Sequence, residues 1–142
     1  MFVHEKRLVV EWGDCDGADI VFYPNYLAWF DACTTALFAA AGLALPQLFK
    51  QHGVIGIPAV DVHARFLAPS GFGDELRAES GMTGFRRSSF VIRHQFFRGD
   101  ILAVEGFETR VWTGADPENP QRMKSRALPP EIIGRLTTPA GK

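Results

Sequence analysis

Asp14-Cys15-Asp16-Gly17-Ala18-Asp19-Ile20-Val21-Phe22-Tyr23-Pro24-Asn25-Tyr26 opens a stretch that runs on, almost without charge, to Gly42. From Ile20 to Phe49 the only formally charged side chain is Asp31. Tyr23-Pro24-Asn25 has the form of a helix start, because a proline in the first turn lacks only an N–H that would be unpaired anyway. Tyr26, Trp29, Phe30, Cys33, Leu37 and Ala40 then follow helical spacing. Leu27, Phe38 and Ala41 add apolar surface on the other faces, so the helix is one that the rest of the chain wraps. Gly42 suits the C-terminal cap. A carboxylate-bearing loop therefore leads into the positive end of a buried helix, an arrangement suited to chemistry at a carbonyl.

The chain around this stretch has 142 residues, enough for one domain with its own core. It is 46% hydrophobic and 22% charged, which is a globular composition. A net charge of −1 argues against a general nucleic-acid partner. Cys15 and Cys33 are too few for a disulfide framework, and a reducing, cytoplasmic location is the simpler expectation. The apolar run from Ala32 to Leu45 is too short for a membrane span and reads as a core helix, so no membrane partner is expected.

Outward from the helix, Arg7–Trp12 reads as a first strand ended by Gly13. Leu45–His52 reads as a short helix, and Gly53–Pro58 as extended chain. Val60, Val62, Ala64 and Phe66 alternate with Asp61, His63 and Arg65, the pattern of a half-buried strand. Further strands are expected over Glu75–Phe85, Ser88–Arg98, Ile101–Thr113 and Arg122–Ala127, with a terminal helix over Pro130–Leu136. Gly114–Pro120 reads as a loop, and Gly81 and Gly84 as bulge positions. The expected fold is α+β: a curved antiparallel sheet wrapped around one long central helix, in a single domain over 1–142.

Asp14-Cys15-Asp16, Ile20–Tyr26 and Trp29-Phe30-Asp31-Ala32 resemble the hot-dog-fold acyl-CoA thioesterases, nearest the 4-hydroxybenzoyl-CoA thioesterase branch, with the YbgC-type enzymes next. The likeness continues through Gly53–Pro58 and Phe85–His94 and ends near Leu128-Pro129. It implies that the chain hydrolyses an acyl-CoA thioester, with an aromatic or medium-sized acyl group, and needs no cofactor. The alternative is an acyl-CoA-binding module without turnover. A hydratase or dehydratase of the same fold is disfavoured, because no histidine lies between His4 and His52.

The resemblance gives Asp16 the catalytic place, as nucleophile or as general base; by chain chemistry alone an Asx-turn residue before a helix is the commoner use of such an aspartate. It gives the backbone N–H of Tyr23 to the thioester oxygen, where orphan donors and the helix dipole favour an oxyanion; by dipole logic alone a capped or hydrated N–H is an equal use. It places Asp31 at the acyl end of the pocket, near a ring hydroxyl; a structural aspartate at a subunit contact is the competing use. Ile57, Arg86, Arg87, Ser88 and Lys124 complete the substrate-binding set, the basic residues for CoA phosphates, although such a cluster also suits a solvated hairpin end. Ser88 stands where the family often has a basic residue. Arg86 and Arg87, as strand neighbours, face opposite ways unless a bulge intervenes. Two departures lie in the motif itself. Gly17 and Asp19 replace a usual proline and glycine, and Asp19 is expected to need a left-handed backbone and to set a second carboxylate near Asp16.

His63 and His94 read as structural strand residues, and Cys15 between carboxylates is a poor nucleophile. Glu11, Asp14, Asp16 and Asp19 do not match a calcium loop, and no metal is expected. A hot-dog protomer leaves a strand edge open, so the expected assembly is a homodimer or homotetramer.

Overall fold

The structure is a computed structural model, and it describes residues 1–140. Strand β1 (Val3–Val9) leads through a 3-10 turn at Trp12–Asp14 to the long helix α1 (Pro24–Ala40). Helix α2 (Leu45–His52) and strands β2 (Val54–Gly56) and β3 (Ala59–Phe66) follow. Then come β4 (Glu75–Phe85), β5 (Ser89–Arg98), β6 (Ile101–Val111), β7 (Thr113–Ala115), β8 (Met123–Ser125) and helix α3 (Pro130–Thr137). Pro24 occupies the first turn of α1, and Gly42, at φ 79°, takes the left-handed step just past its end.

Five strands form one antiparallel sheet in the order β1-β4-β5-β6-β3, and α1 packs on it. The helix runs along the strands. Tyr26 and Phe30 meet Phe96, and fifteen ångströms or so further along, at about 1.5 Å per residue, Phe38 meets Phe90. Phe30 lies so flat on β6 that a Cβ on Gly106 would stand 2.2 Å from its ring. Apolar side chains gather in two clusters. One surrounds the first half of α1, with Phe30, Leu76 and Val104; the other joins its second half to α2 and α3 through Leu37, Trp112 and Ile132.

Five expectations are corrected. The first strand starts at Val3 and stops at Val9, because ion pairs from Glu5 and Arg7 to Arg77 and Glu75 on β4 stand in for apolar alternation. The single long strand over Ile101–Thr113 breaks at buried Trp112, and its continuation joins a second sheet, β2-β7-β8, so Gly114 and Ala115 are strand rather than loop. Of the two expected bulge glycines, only Gly84 adjoins a register shift in β4. The apolar side of β3 is not half-buried within this chain: Val60 is 63% and Phe66 53% exposed. β3 is an edge strand, and α1 leaves that end of its face uncovered. On α1 itself, Leu27 and several alanines remain exposed, so the helix is covered on one side only. Among the described residues no single helix is long and apolar enough to cross a membrane.

Candidate active site

The carboxylate loop is a tight hairpin. An isolated antiparallel bridge pairs Cys15 with Val21, Phe22 N donates to Asp14 O at 2.8 Å, and Asp16 N donates to Ile20 O at 2.9 Å. At the tip, Asp19 N returns to Asp16 O at 3.0 Å, closing a turn with Gly17 and Ala18 at its centre. Asp16 Oδ1 accepts the Ala18 N–H at 2.8 Å, so Asp16 is an Asx-turn residue, with its second oxygen unengaged among the described residues. Asp19 has φ 62°, the left-handed conformation its substitution for glycine led us to expect. Asp14 is committed to structure: its carboxylate takes the Glu11 N–H at 2.8 Å, and its carbonyl takes the Asn25 side-chain amide at 2.8 Å. That last bond ties the hairpin to the first turn of α1. Tyr26 N reaches Tyr23 O at 3.1 Å, but the Tyr23 N–H donates to no acceptor among the described residues. A half-buried carboxylate and an open helix-end donor thus sit on one hairpin. Beside them a cavity of about 240 Å³ opens between Ile20, Tyr23, Tyr26, Phe66, Leu67 and Ser70.

Asp31 does not line that cavity; it lies two turns further along α1 on the uncovered side. Its Oδ1 accepts Arg110 Nη2 at 2.8 Å. Arg110, on β6, also donates from Nη1 to the Ile57 carbonyl at 2.9 Å and from Nη2 to Glu108 Oε2 at 2.6 Å. Glu108 Oε1 accepts from Thr34 Oγ1 at 2.5 Å and from His94 Nε2 at 2.7 Å, and His94 Nδ1 meets Ser80 Oγ at 2.7 Å. Burial pushes the Glu108 carboxyl up, but the bonds from His94, Arg110 and Thr34 outweigh it and hold it down at about 2. Burial works against the charge on Arg110, and Glu108 and Asp31 more than offset that, raising its pKa. The sequence reading did not single out Glu108 or Arg110. Their signal was present: both occupy inward positions of β6, in step with Val104 and Gly106.

The other candidates fall elsewhere. Ile57 turns its side chain into the core and presents its carbonyl to Arg110. Arg86 and Arg87 are exposed in the β4–β5 turn rather than on a strand, so strand alternation does not separate them. Arg86 borders a groove of about 410 Å³. Ser88 O accepts the Trp112 N–H, Arg87 O accepts the Leu128 N–H, and Lys124 is exposed on β8 beside this same end of the molecule. The turn and the Asp16 hairpin lie at opposite ends of β4, which spans 11 residues, roughly 33 Å at about 3.3 Å per residue. His63 is exposed, stacked on Phe107 at 5.0 Å, and His94 is fully buried in the network above. Cys33 is pushed up to about 11 by burial and is no nucleophile. No cluster of metal-ligating side chains occurs among the described residues.

Residues 18–105 match the Thioesterase superfamily. The chain belongs to that superfamily. It is 35% identical over 130 residues to the 4-hydroxybenzoyl-CoA thioesterase of Pseudomonas sp. (strain CBS-3), covering 87% of this chain and 90% of that one. It is 28% identical over 92 residues to the 1,4-dihydroxy-2-naphthoyl-CoA hydrolase of Synechococcus elongatus, covering 65% and 68%. Among solved structures it resembles a 4-hydroxybenzoyl-CoA thioesterase carrying an aspartate-to-asparagine substitution and complexed with 4-hydroxybenzoyl-CoA. That likeness has a TM-score of 0.88 at 31% identity and covers 96% of this chain and all of that one. A gentisyl-coenzyme A thioesterase superposes with a TM-score of 0.78 at 26% identity, covering 95% and 100%. The fold is the hot-dog fold, and this superfamily member is a thioester hydrolase acting on acyl-CoA.

Proposed function

We propose that this hydrolase acts on an aromatic acyl-CoA carrying a ring hydroxyl, with Asp16 as the catalytic carboxylate and the Tyr23 N–H as the oxyanion donor. The observation that carries the reading is the hairpin that joins Asp16 to the open Tyr23 N–H. As nucleophile, Asp16 forms a C–O bond to the acyl carbon while the C–S bond breaks; the thiolate of CoA leaves, and water then splits the mixed anhydride. As base, Asp16 takes a proton from the water that adds to that carbon, and the tetrahedral adduct then breaks its C–S bond and releases the thiolate of CoA. In either course negative charge builds on the thioester oxygen, where the Tyr23 N–H and the start of α1 stabilise it. The named substrates of three relatives share a hydroxylated aromatic acyl group, and Asp31 offers an exposed carboxylate on the uncovered side of α1.

The site is completed by a second copy of the chain. Exposed Phe22, Tyr23 and Leu27 stand beside exposed Val60, Val62 and Phe66 on the unpaired β3 edge, an apolar face that a homodimer covers; a tetramer is the further step. The Asp16 hairpin and Arg86 lie at opposite ends of β4, a strand roughly 33 Å long at about 3.3 Å per residue, which favours CoA phosphates meeting Arg86, Arg87, Ser88 or Lys124 of a neighbouring copy. Thiol release from a panel of acyl-CoAs tests the activity, and light scattering tests the assembly. Catalytic release that is fastest with hydroxylated aromatic thioesters and slower with unsubstituted aromatic and aliphatic ones is the expected result. A folded protein that binds these thioesters without releasing thiol is a binding module instead.

A further inference from the structure

We propose that Arg110 and Glu108 are positioning residues of the acyl site: through them a buried chain, Ser80–His94–Glu108–Arg110, orients the Asp31 carboxylate and leaves it as an acceptor for a substrate hydroxyl. This rests on the placing of Asp31 at the acyl end of the site. Three observations support it.

The first is the sharing of one guanidinium. Arg110 reaches α1, β6 and the chain after β2 at once, through Asp31, Glu108 and the Ile57 carbonyl. Only a planar fork of donors does this; an ammonium is a single point. The second is the gradient of exposure. The side chains of Glu108 and Arg110 are 3% and 7% exposed, whereas that of Asp31 is 68% exposed. The network begins in the core and has its one open end at Asp31. The third is its charge. Two carboxylates share Arg110 Nη2, at 2.6 Å and 2.8 Å. Glu108 is closed off by Thr34, His94 and Arg110, so Asp31 is the one carboxylate of the network open to a ligand. A carboxylate held in this way accepts from a hydroxyl and repels an acyl group that ends in a carboxylate. A purely structural use gains nothing from the gradient, since buried ion networks are commonly no more stabilising than apolar side chains of the same volume.

The test is selectivity. kcat/KM is measured for 4-hydroxybenzoyl-CoA and for benzoyl-CoA with wild type, Asp31→Asn, Glu108→Gln and the double variant. Wild type favours the hydroxylated substrate by about tenfold or more, the scale of a hydrogen bond to a charged group. Glu108→Gln removes the charge that shares Arg110 with Asp31, so Arg110 neutralises Asp31 more fully, and the ratio falls by roughly tenfold. In the Asp31→Asn background the same change alters the ratio by less than about twofold, because the effect passes through Asp31. If Glu108→Gln lowers both substrates in proportion, or still changes the ratio without Asp31, the inference is overturned. Should Glu108→Gln fail to fold, Thr34→Val removes one donor from Glu108 at nearly constant shape. It is expected to lower the ratio by about two- to threefold, and an unchanged ratio in folded Thr34→Val overturns the inference as well. Wild type that hydrolyses neither thioester instead refutes the aromatic substrate itself, an outcome distinct from selective wild type with indifferent variants.

Discussion

The Asp16 hairpin and the Asp31 network each hold an aspartate in place, by opposite means. The hairpin is closed mainly by backbone bonds, with Asp14 and Asn25 fastening its base, and Asp16 contributes one acceptor to its turn. The network is held by side chains, and its ion pairs lie inside the core. Chemistry and stability are therefore separable at the hairpin and joined at the network. Activity at the hairpin needs charge in a loop that asparagine fills equally well. Orientation at Asp31 needs buried charges, and these cannot be removed singly without leaving a partner uncompensated.

Removing Arg110 gives the largest expected effect on that comparison. Arg110→Met strands Glu108 in the core and is expected to cost about 3–5 kcal/mol in urea unfolding. Asp16→Asn keeps the bond to Ala18 and is expected to stay within about 0.5 kcal/mol of wild type. Equal losses at the two sites would erase the distinction.

Acid unfolding is the next test. Glu108 is held at about 2, below its model-peptide value of 4.5, so its network stabilises the fold above the unfolded pKa. That stability is lost as pH falls from about 4.5 toward 2, on the order of 3 kcal/mol in all. Glu108→Gln flattens the pH dependence of the melting temperature across that window. A wild-type profile no steeper than that of the variant would contradict the pairing.

Charge at the far end of β4 gives a smaller effect. Arg86→Ala is expected to raise KM for the acyl-CoA by about three- to tenfold and to reduce its salt dependence, with kcat little changed. A KM insensitive to both places the phosphates elsewhere. The smallest effect concerns the hairpin's own stiffness. Gly17 sits at the second position of the turn, with open space where a Cβ would stand, and its N–H has no protein acceptor among the described residues. Gly17→Pro is therefore expected to stabilise the protein by about 0.4–1 kcal/mol in the same unfolding assay.

Much of this was legible from residues. Tyr23-Pro24 marked the start of α1 because proline belongs in a first turn, and Gly42 marked its end. The motif around Asp16 carried the family, and Asp19 carried its own backbone conformation. What was not legible came from pairing across distance. β1 hides its strand character because its partners are ions on β4. Val60 and Phe66 alternate like core residues, yet the surface that covers them is not in this chain. Glu108 and Arg110 looked like ordinary charges on a strand; their burial depends on His94, Thr34 and Asp31, which lie on two other elements. The alternation of β6 was enough to place them inward, but not to name their partners.

The central claim is that a thioester is cleaved here by Asp16. Thiol release from saturating 4-hydroxybenzoyl-CoA, followed for folded wild type and Asp16→Asn, tests it most directly. The expected result is turnover by wild type and a kcat lower by about a hundredfold to ten-thousandfold in Asp16→Asn, with substrate binding retained. Equal release by the two proteins, with reversion to aspartate excluded by mass spectrometry, would contradict the account.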